Sequence, residues 1–377
     1  MFDTKIQMVD LSTQYHRWKE EIDEALQSVI ESSAFINGPQ VKQFASHLEE
    51  YLNVEHVIPC GNGTDALQIA LMRLNLEKGD EVIIPAFTYA AAVEAAVLLG
   101  LTPVLVDVDS RTFNISPEAV ADAISERTKA MIVVHLFGQS CDMHPLMEIA
   151  KQHGLSVIED NAQSLGAEYI FPNGETQKAG TIGEIGTLSF FPTKILGGYG
   201  DGGAVIVHDD ALAEAVRMTT VHGQSAKYRH QIIGCNSRLD TLQSAILDVK
   251  LRHITESIAA RQAAAAYYDK ALKEVEEIVL PYRLLASTHV YHQYTLCIKG
   301  GKRDALQAWL KEKGVPSYIY YPRSIQEQEA FKPHIRISGD LSISHQLTNE
   351  VLSLPLHTEM TEAEQHYITH QIIAFFR

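Results

Sequence analysis

Thr187-Leu-Ser-Phe-Phe-Pro-Thr-Lys194-Ile-Leu-Gly-Gly-Tyr-Gly-Asp-Gly-Gly203 joins an apolar run to a lysine and then to five glycines. Glycine admits backbone paths that side chains would crowd, so this lysine can be held close to a bound molecule. After it, Gly203-Ala-Val-Ile-Val207 is short and apolar, the pattern of a buried strand. Further out, His56-Val-Ile-Pro-Cys60, Glu81-Val-Ile-Ile84, Pro103-Val-Leu-Val106, Ala130-Met-Ile-Val-Val134 and Leu155-Ser-Val-Ile158 repeat that pattern between helical stretches. This alternation predicts an α/β fold with a large, mostly parallel sheet covered on both faces.

The segment before the sheet, to about Leu52, reads as helical, with Ile22, Leu26, Val29 and Ile30 on one face, and is placed to pack across a neighbouring subunit. Helices are expected over Asp65 to Leu74, Leu239 to Leu251 and Ser257 to Val275, the last as a linker. Beyond Val279 the pattern changes: strands over Tyr294 to Ile298 and Ser317 to Tyr321, a helix over Arg303 to Lys313, and a closing helix from Thr361. The division expected is 1–252, an N-terminal helix plus a large α/β domain, and 253–377, a linker helix plus a small α+β domain.

Of the 377 residues, 46% are hydrophobic and 21% charged, a globular balance. The net charge of -16 and the lack of a basic stripe argue against a nucleic-acid partner. The apolar stretch from Ala90 to Val106 is broken by Glu94, Gly100 and Pro103, which speaks against a membrane span. Cys60, Cys141, Cys235 and Cys297 form no C-x-x-C pair, so reduced thiols and a cytoplasmic location are expected. Seventeen histidines lack metal-ligand spacing, and none is assigned a role.

Lys194 can form a Schiff base, and Asp160, just past the Leu155–Ile158 strand, can pair with a pyridinium nitrogen. Together they are what pyridoxal 5'-phosphate (PLP) asks of a protein. Gln163 can donate to the ring hydroxyl, and Tyr89 can lie flat on the ring. Gly61-Asn-Gly-Thr64, between a strand and a helix, offers amides and the Thr64 hydroxyl to a phosphate, and Ser189 can add another hydroxyl. Each has a plainer alternative: a connecting turn at Gly61–Thr64, a helix cap at Asp160, a core ring at Tyr89, a solvated amine at Lys194.

With these residues in hand, the whole chain resembles the DegT/DnrJ/EryC1/StrS sugar aminotransferases, PLP enzymes of the aspartate-aminotransferase fold type. The likeness runs in order through Gly61-Asn-Gly-Thr-Asp-Ala-Leu67, Pro85-Ala-Phe-Thr-Tyr89, Val104-Leu-Val-Asp-Val-Asp109 and His135-Leu-Phe-Gly-Gln139. It continues through Glu159-Asp-Asn-Ala-Gln163, Ser189-Phe-Phe-Pro-Thr-Lys194, Gly198-Tyr-Gly-Asp-Gly-Gly203 and Asn236-Ser-Arg-Leu-Asp240.

The resemblance implies that Lys194 is the cofactor lysine and Asp160 the partner of the pyridine nitrogen. It places Gln163 at the ring hydroxyl, Gly63, Thr64 and Ser189 at the phosphate, and Tyr89 on the ring. It also implies a homodimer with shared sites, in which Asn236 reaches the other subunit's cofactor phosphate and Arg238 faces the substrate. The substrates implied are L-glutamate and a UDP- or dTDP-linked keto sugar. The role implied is amino-sugar supply for a surface polysaccharide such as the O-antigen of lipopolysaccharide.

Family dehydratases carry histidine in place of the lysine, so Lys194 favours transamination. A PLP-binding regulatory protein of the same fold is the alternative outside enzymology. The chain looks closest to the branch that aminates UDP-2-acetamido-3-keto-glucuronate. It departs from that branch with Tyr320-Tyr321-Pro322 in place of His-Tyr-Pro and with Gln326 where many relatives have histidine. Tyr320 and Tyr321 remain substrate-binding candidates, and sugars with and without a carboxylate both stay open.

Overall fold

A computed structural model describes residues 5–377. Eight strands form one sheet in the order His56–Cys60, Gly203–Val207, Ile185–Ser189, Ser156–Asp160, Thr128–Val134, Glu81–Pro85, Thr102–Val106, Arg336–Ile337. Neighbours run parallel throughout except at Gly203–Val207, which is antiparallel to the strands on both sides. The strands read as continuous apolar runs because the sheet is covered on both faces: Ile84 and Ile158 pack in one apolar cluster, Ile83 and Val157 in another.

The edge strand Arg336–Ile337 comes from beyond residue 252 and was not expected from the sequence. Arg336 anchors it, donating through Nη2 and Nε to the buried carboxylate of Glu81 at 2.8 and 3.1 Å. Two residues with one apolar side chain carry too little pattern to be read as a strand.

A separate antiparallel sheet of Ile278–Val279, Tyr294–Ile298 and Val351–Leu354 packs against helices Ile254–Leu272, Arg303–Glu312 and Glu362–Phe376. The helix Ile254–Leu272 bridges the two parts: Ile254 sits in the core beside the large sheet, while Ala264, Tyr268 and Leu272 fill the core of the small one. No helix among the described residues is long and apolar enough to cross a membrane.

Two sequence expectations are corrected. Ser317–Tyr321 is not a strand; only Tyr318 bridges, exchanging backbone hydrogen bonds with Ser353 at 3.1 and 2.7 Å. Tyr320 and Tyr321 then turn away to line a cavity. Ile30 does not share the buried face of Ile22, Leu26 and Val29, and is 52% exposed. At roughly 100° per residue it lies about 80° around the helix from Ile22, beyond the stripe. Ile22 and Leu26 of that stripe, with Trp18, pack on Ile246 and Val249 of the same chain.

Candidate active site

Asp160 and Ser189 end parallel strands at the carboxyl edge of the large sheet, where open α/β sheets bind ligands. A cavity of about 500 Å³ opens there. Gly63, Thr64, Tyr89, Asp160, Gln163, Ser189, Lys194, Tyr320 and Tyr321 all line it.

Successive strand residues point to opposite faces, and this separates the Glu159–Asp160 pair. Glu159 turns into the protein, where its carboxylate accepts from His135 Nε2 at 2.7 Å and from the amides of Gly180, Ile182 and Gly183 at 2.8, 2.6 and 2.6 Å. The Cys141 amide donates to His135 Nδ1 at 3.0 Å, so Nε2 carries the proton given to Glu159. Asp160 turns into the cavity, its Oδ1 accepting, among the described residues, only the Ala162 amide at 3.1 Å. Burial raises its pKa, only partly offset by the Ala162 amide and the charges of Lys194 and His135.

Gln163 is fixed at both ends of its amide. Its Oε1 accepts from the Phe137 amide at 2.8 Å, and its Nε2 donates to the Tyr321 hydroxyl at 3.2 Å. Burial raises the pKa of that phenol and keeps it protonated. Tyr89 is 62% exposed, its ring 6.2 Å from that of Tyr321, with a face free to stack.

At the other end, the helix Gly63–Arg73 begins at the cavity, with Asn62 capping the Asp65 amide at 2.8 Å. The amides of Gly63 and Thr64 lie in its first turn and have no intrahelical acceptor. A Cβ on Gly63 would stand 2.8 Å from Ser189 Cβ, so glycine is what lets the helix end approach the Ser189 hydroxyl. Amides, hydroxyls and the positive helix end make a phosphate cradle.

The Lys194 amine has neither a hydrogen bond nor an ion pair among the described residues. Burial lowers its pKa to about 8, with the Asp160 charge pulling the other way. It is therefore partly neutral near physiological pH, as attack on a carbonyl requires.

Asn236 and Arg238 do not line this cavity. Between them Ser237 is buried, accepting from the Gly61 amide at 2.8 Å and donating to Asp65 at 2.6 Å. Alternation along this extended segment turns Asn236 and Arg238 outward. Sequence reasoning passed over Thr88, His292 and Gln293, which also line the cavity. His292 comes from the segment leading into the small sheet, and only folding brings it here.

The sequence model of the DegT/DnrJ/EryC1/StrS aminotransferase family matches residues 16–373. The chain belongs to that family. It is 45% identical over 374 residues to a pleiotropic regulatory protein of Geobacillus stearothermophilus, covering 99% of both chains. It is 42% identical over 358 residues to the UDP-2-acetamido-2-deoxy-3-oxo-D-glucuronate aminotransferase of Pseudomonas aeruginosa, covering 95% of this chain and 97% of that one. A DegT DnrJ EryC1 StrS aminotransferase from Brucella abortus superposes with a TM-score of 0.93 at 38% identity, over 98% of this chain and 99% of the other. The fold is the α/β fold of the PLP-dependent DegT-family aminotransferases. The site fits that cofactor: a partly neutral buried lysine, an acid at a strand end, and a phosphate cradle whose approach depends on Gly63.

Proposed function

We propose that this chain is a PLP-dependent aminotransferase that converts the ketone of a nucleotide-linked keto sugar to an amine, with L-glutamate as donor. The observation that carries this is one cavity holding the lowered-pKa Lys194, the buried Asp160 and the helix end at Gly63 and Thr64. When bound, the cofactor supplies an aldehyde that takes up the amino group and a ring that withdraws electrons from the reacting carbon.

Around it each residue has one task. Gly63, Thr64 and Ser189 hold the phosphate. Asp160 keeps the pyridine nitrogen protonated, and Gln163, fixed by Phe137 and Tyr321, meets the ring hydroxyl. Tyr89 stacks on the ring. Lys194 takes and returns a proton at Nζ, which its lowered pKa allows near neutral pH. Tyr320 and Tyr321 face the sugar.

The same reading makes the working unit a homodimer, with Asn236 and Arg238 turned outward to the neighbouring site. Tyr89, Phe191, Tyr228 and Ile233 support it as large, exposed apolar side chains, of which Tyr89 and Phe191 line the cavity itself. Arg238 can pair with a sugar carboxylate across that interface. The four unpaired thiols suit the cytoplasm, and the product is an amino sugar for a surface polysaccharide such as O-antigen. The relative described as a pleiotropic regulatory protein favours a second reading, a PLP-binding regulator on the same scaffold.

The test is turnover. Protein loaded with PLP and given L-glutamate is offered UDP- and dTDP-linked 3-keto and 4-keto sugars, with and without a carboxylate. An amino sugar formed alongside 2-oxoglutarate identifies the substrate. No product from any sugar, with the cofactor held, favours the regulatory reading.

A further inference from the structure

His292 is 7% exposed, yet neither ring nitrogen has a hydrogen-bond partner among the described residues, and Nδ1 is sealed from solvent. Buried polar groups are rarely left this way, so the orphan calls for a partner that the resting arrangement does not supply.

Its backbone is fixed from several sides. The Val290 amide donates to Gly138 O at 2.8 Å and the Gln293 amide to Phe137 O at 3.2 Å. Arg261 Nη1 holds the Tyr291 carbonyl at 3.3 Å. The two segments cross so tightly that a Cβ on Gly138 would come within 2.7 Å of His292 N. Phe137 and Tyr291 both adopt left-handed backbone there, with φ of 59° and 52°. Such strain persists only where its surroundings dictate it, and here it delivers His292 to the wall of the Lys194 cavity.

Burial, together with the cations Lys194 and Arg261, lowers the pKa of His292 well below its ordinary value. The ring is thus neutral and keeps a lone pair. Among the described residues, Lys194, whose own surroundings add only the Asp160 charge, is the one lysine or arginine on the cavity wall, and its amine is likewise unpaired. A neutral imidazole and a flexible, unpaired amine on the wall of one cavity form a potential acceptor and donor pair.

We propose that His292 is a positioning residue for Lys194, a ring nitrogen accepting a hydrogen bond when the free amine swings toward it and so holding Nζ where it exchanges protons. This rests on the aminotransferase reading. It adds that the freed lysine has an acceptor to turn to.

The test compares His292→Phe, which removes the acceptor, with His292→Gln, which retains one. In cofactor-free protein, Lys194 ionisation is read from the pH dependence of its labelling by an amine reagent, located by mass spectrometry. Loss of an acceptor that stabilises the ammonium is expected to raise the Lys194 acid dissociation constant about tenfold or more in His292→Phe, with partial return in His292→Gln. A second readout needs neither variant: ¹⁵N spectra of the histidine rings, in which Lys194→Ala shifts one nitrogen of a neutral His292. Identical Lys194 titrations in all three proteins, or an unchanged His292 ring in Lys194→Ala, overturn the proposal. Failure of the aminotransferase reading shows elsewhere, as a wild-type protein that takes up PLP yet gives no spectral response to L-glutamate.

Discussion

Glu159 and Asp160 leave the same strand in opposite directions, one into a cage of four N–H donors and the other into the cavity that holds Lys194. The caged carboxylate ties His135 and the Gly180–Gly183 turn to the strand end, and so fixes where Asp160 stands. Burial opposes its charge, but His135 and the backbone amides outweigh that and hold its pKa below the usual carboxylate value.

Glu159→Gln is therefore expected to destabilise the fold by about 3 kcal/mol, since one partner of a buried pair is lost and N–H groups face an amide. The pH signature follows from the depressed pKa. The stability that Glu159 contributes is fully present above the unfolded carboxylate value near 4.5 and is lost as pH falls through the lower folded value. Denaturant melts from neutral pH downward should show the wild type weakening more steeply than Glu159→Gln in that acid window.

Lys194→Ala should lose transamination by roughly a thousandfold or more, on the scale of removing both the cofactor linkage and a general acid/base. The fold should survive, because the amine makes no hydrogen bond among the described residues. Far-ultraviolet circular dichroism checks the fold and 2-oxoglutarate release the activity; full turnover in the variant would remove Lys194 from the mechanism.

Reaction of apo-protein with PLP should follow the neutral amine of Lys194. Burial lowers that pKa to about 8, so the capture rate should rise through about pH 8 and level off above it, well below the ordinary lysine range near 10.5. Stopped-flow absorbance across pH gives the midpoint.

The proposed sharing of sites across a dimer can be tested by complementation. Lys194→Ala and Arg238→Ala are each inactive by this account, yet a mixed dimer contains one site with both native residues. Equal mixing with subunit exchange should restore roughly a quarter of wild-type activity. No recovery, with exchange verified by native mass spectrometry, would place Arg238 at its own chain's site or outside catalysis.

The large sheet was legible because its strands are buried on both faces and read as unbroken apolar runs between turn residues. The residues around Lys194 were legible because glycines and polar groups interrupt those runs at strand ends. Arg336–Ile337 was not, since its place depends on a bond to Glu81 across 255 positions of sequence. Ser317–Tyr321 misled through its β-forming tyrosines, which leave the sheet for the cavity wall. His292 has no local signature: its role comes from the crossing of two segments 155 residues apart, marked only by Gly138 and by left-handed backbone that sequence does not reveal.

The most direct measurement is the visible absorbance spectrum of the purified, PLP-loaded protein before and after L-glutamate. A yellow band that bleaches on addition of the amino acid and returns with a keto sugar acceptor is expected. A protein that stays colourless with added PLP, or a band indifferent to L-glutamate, would contradict the aminotransferase reading.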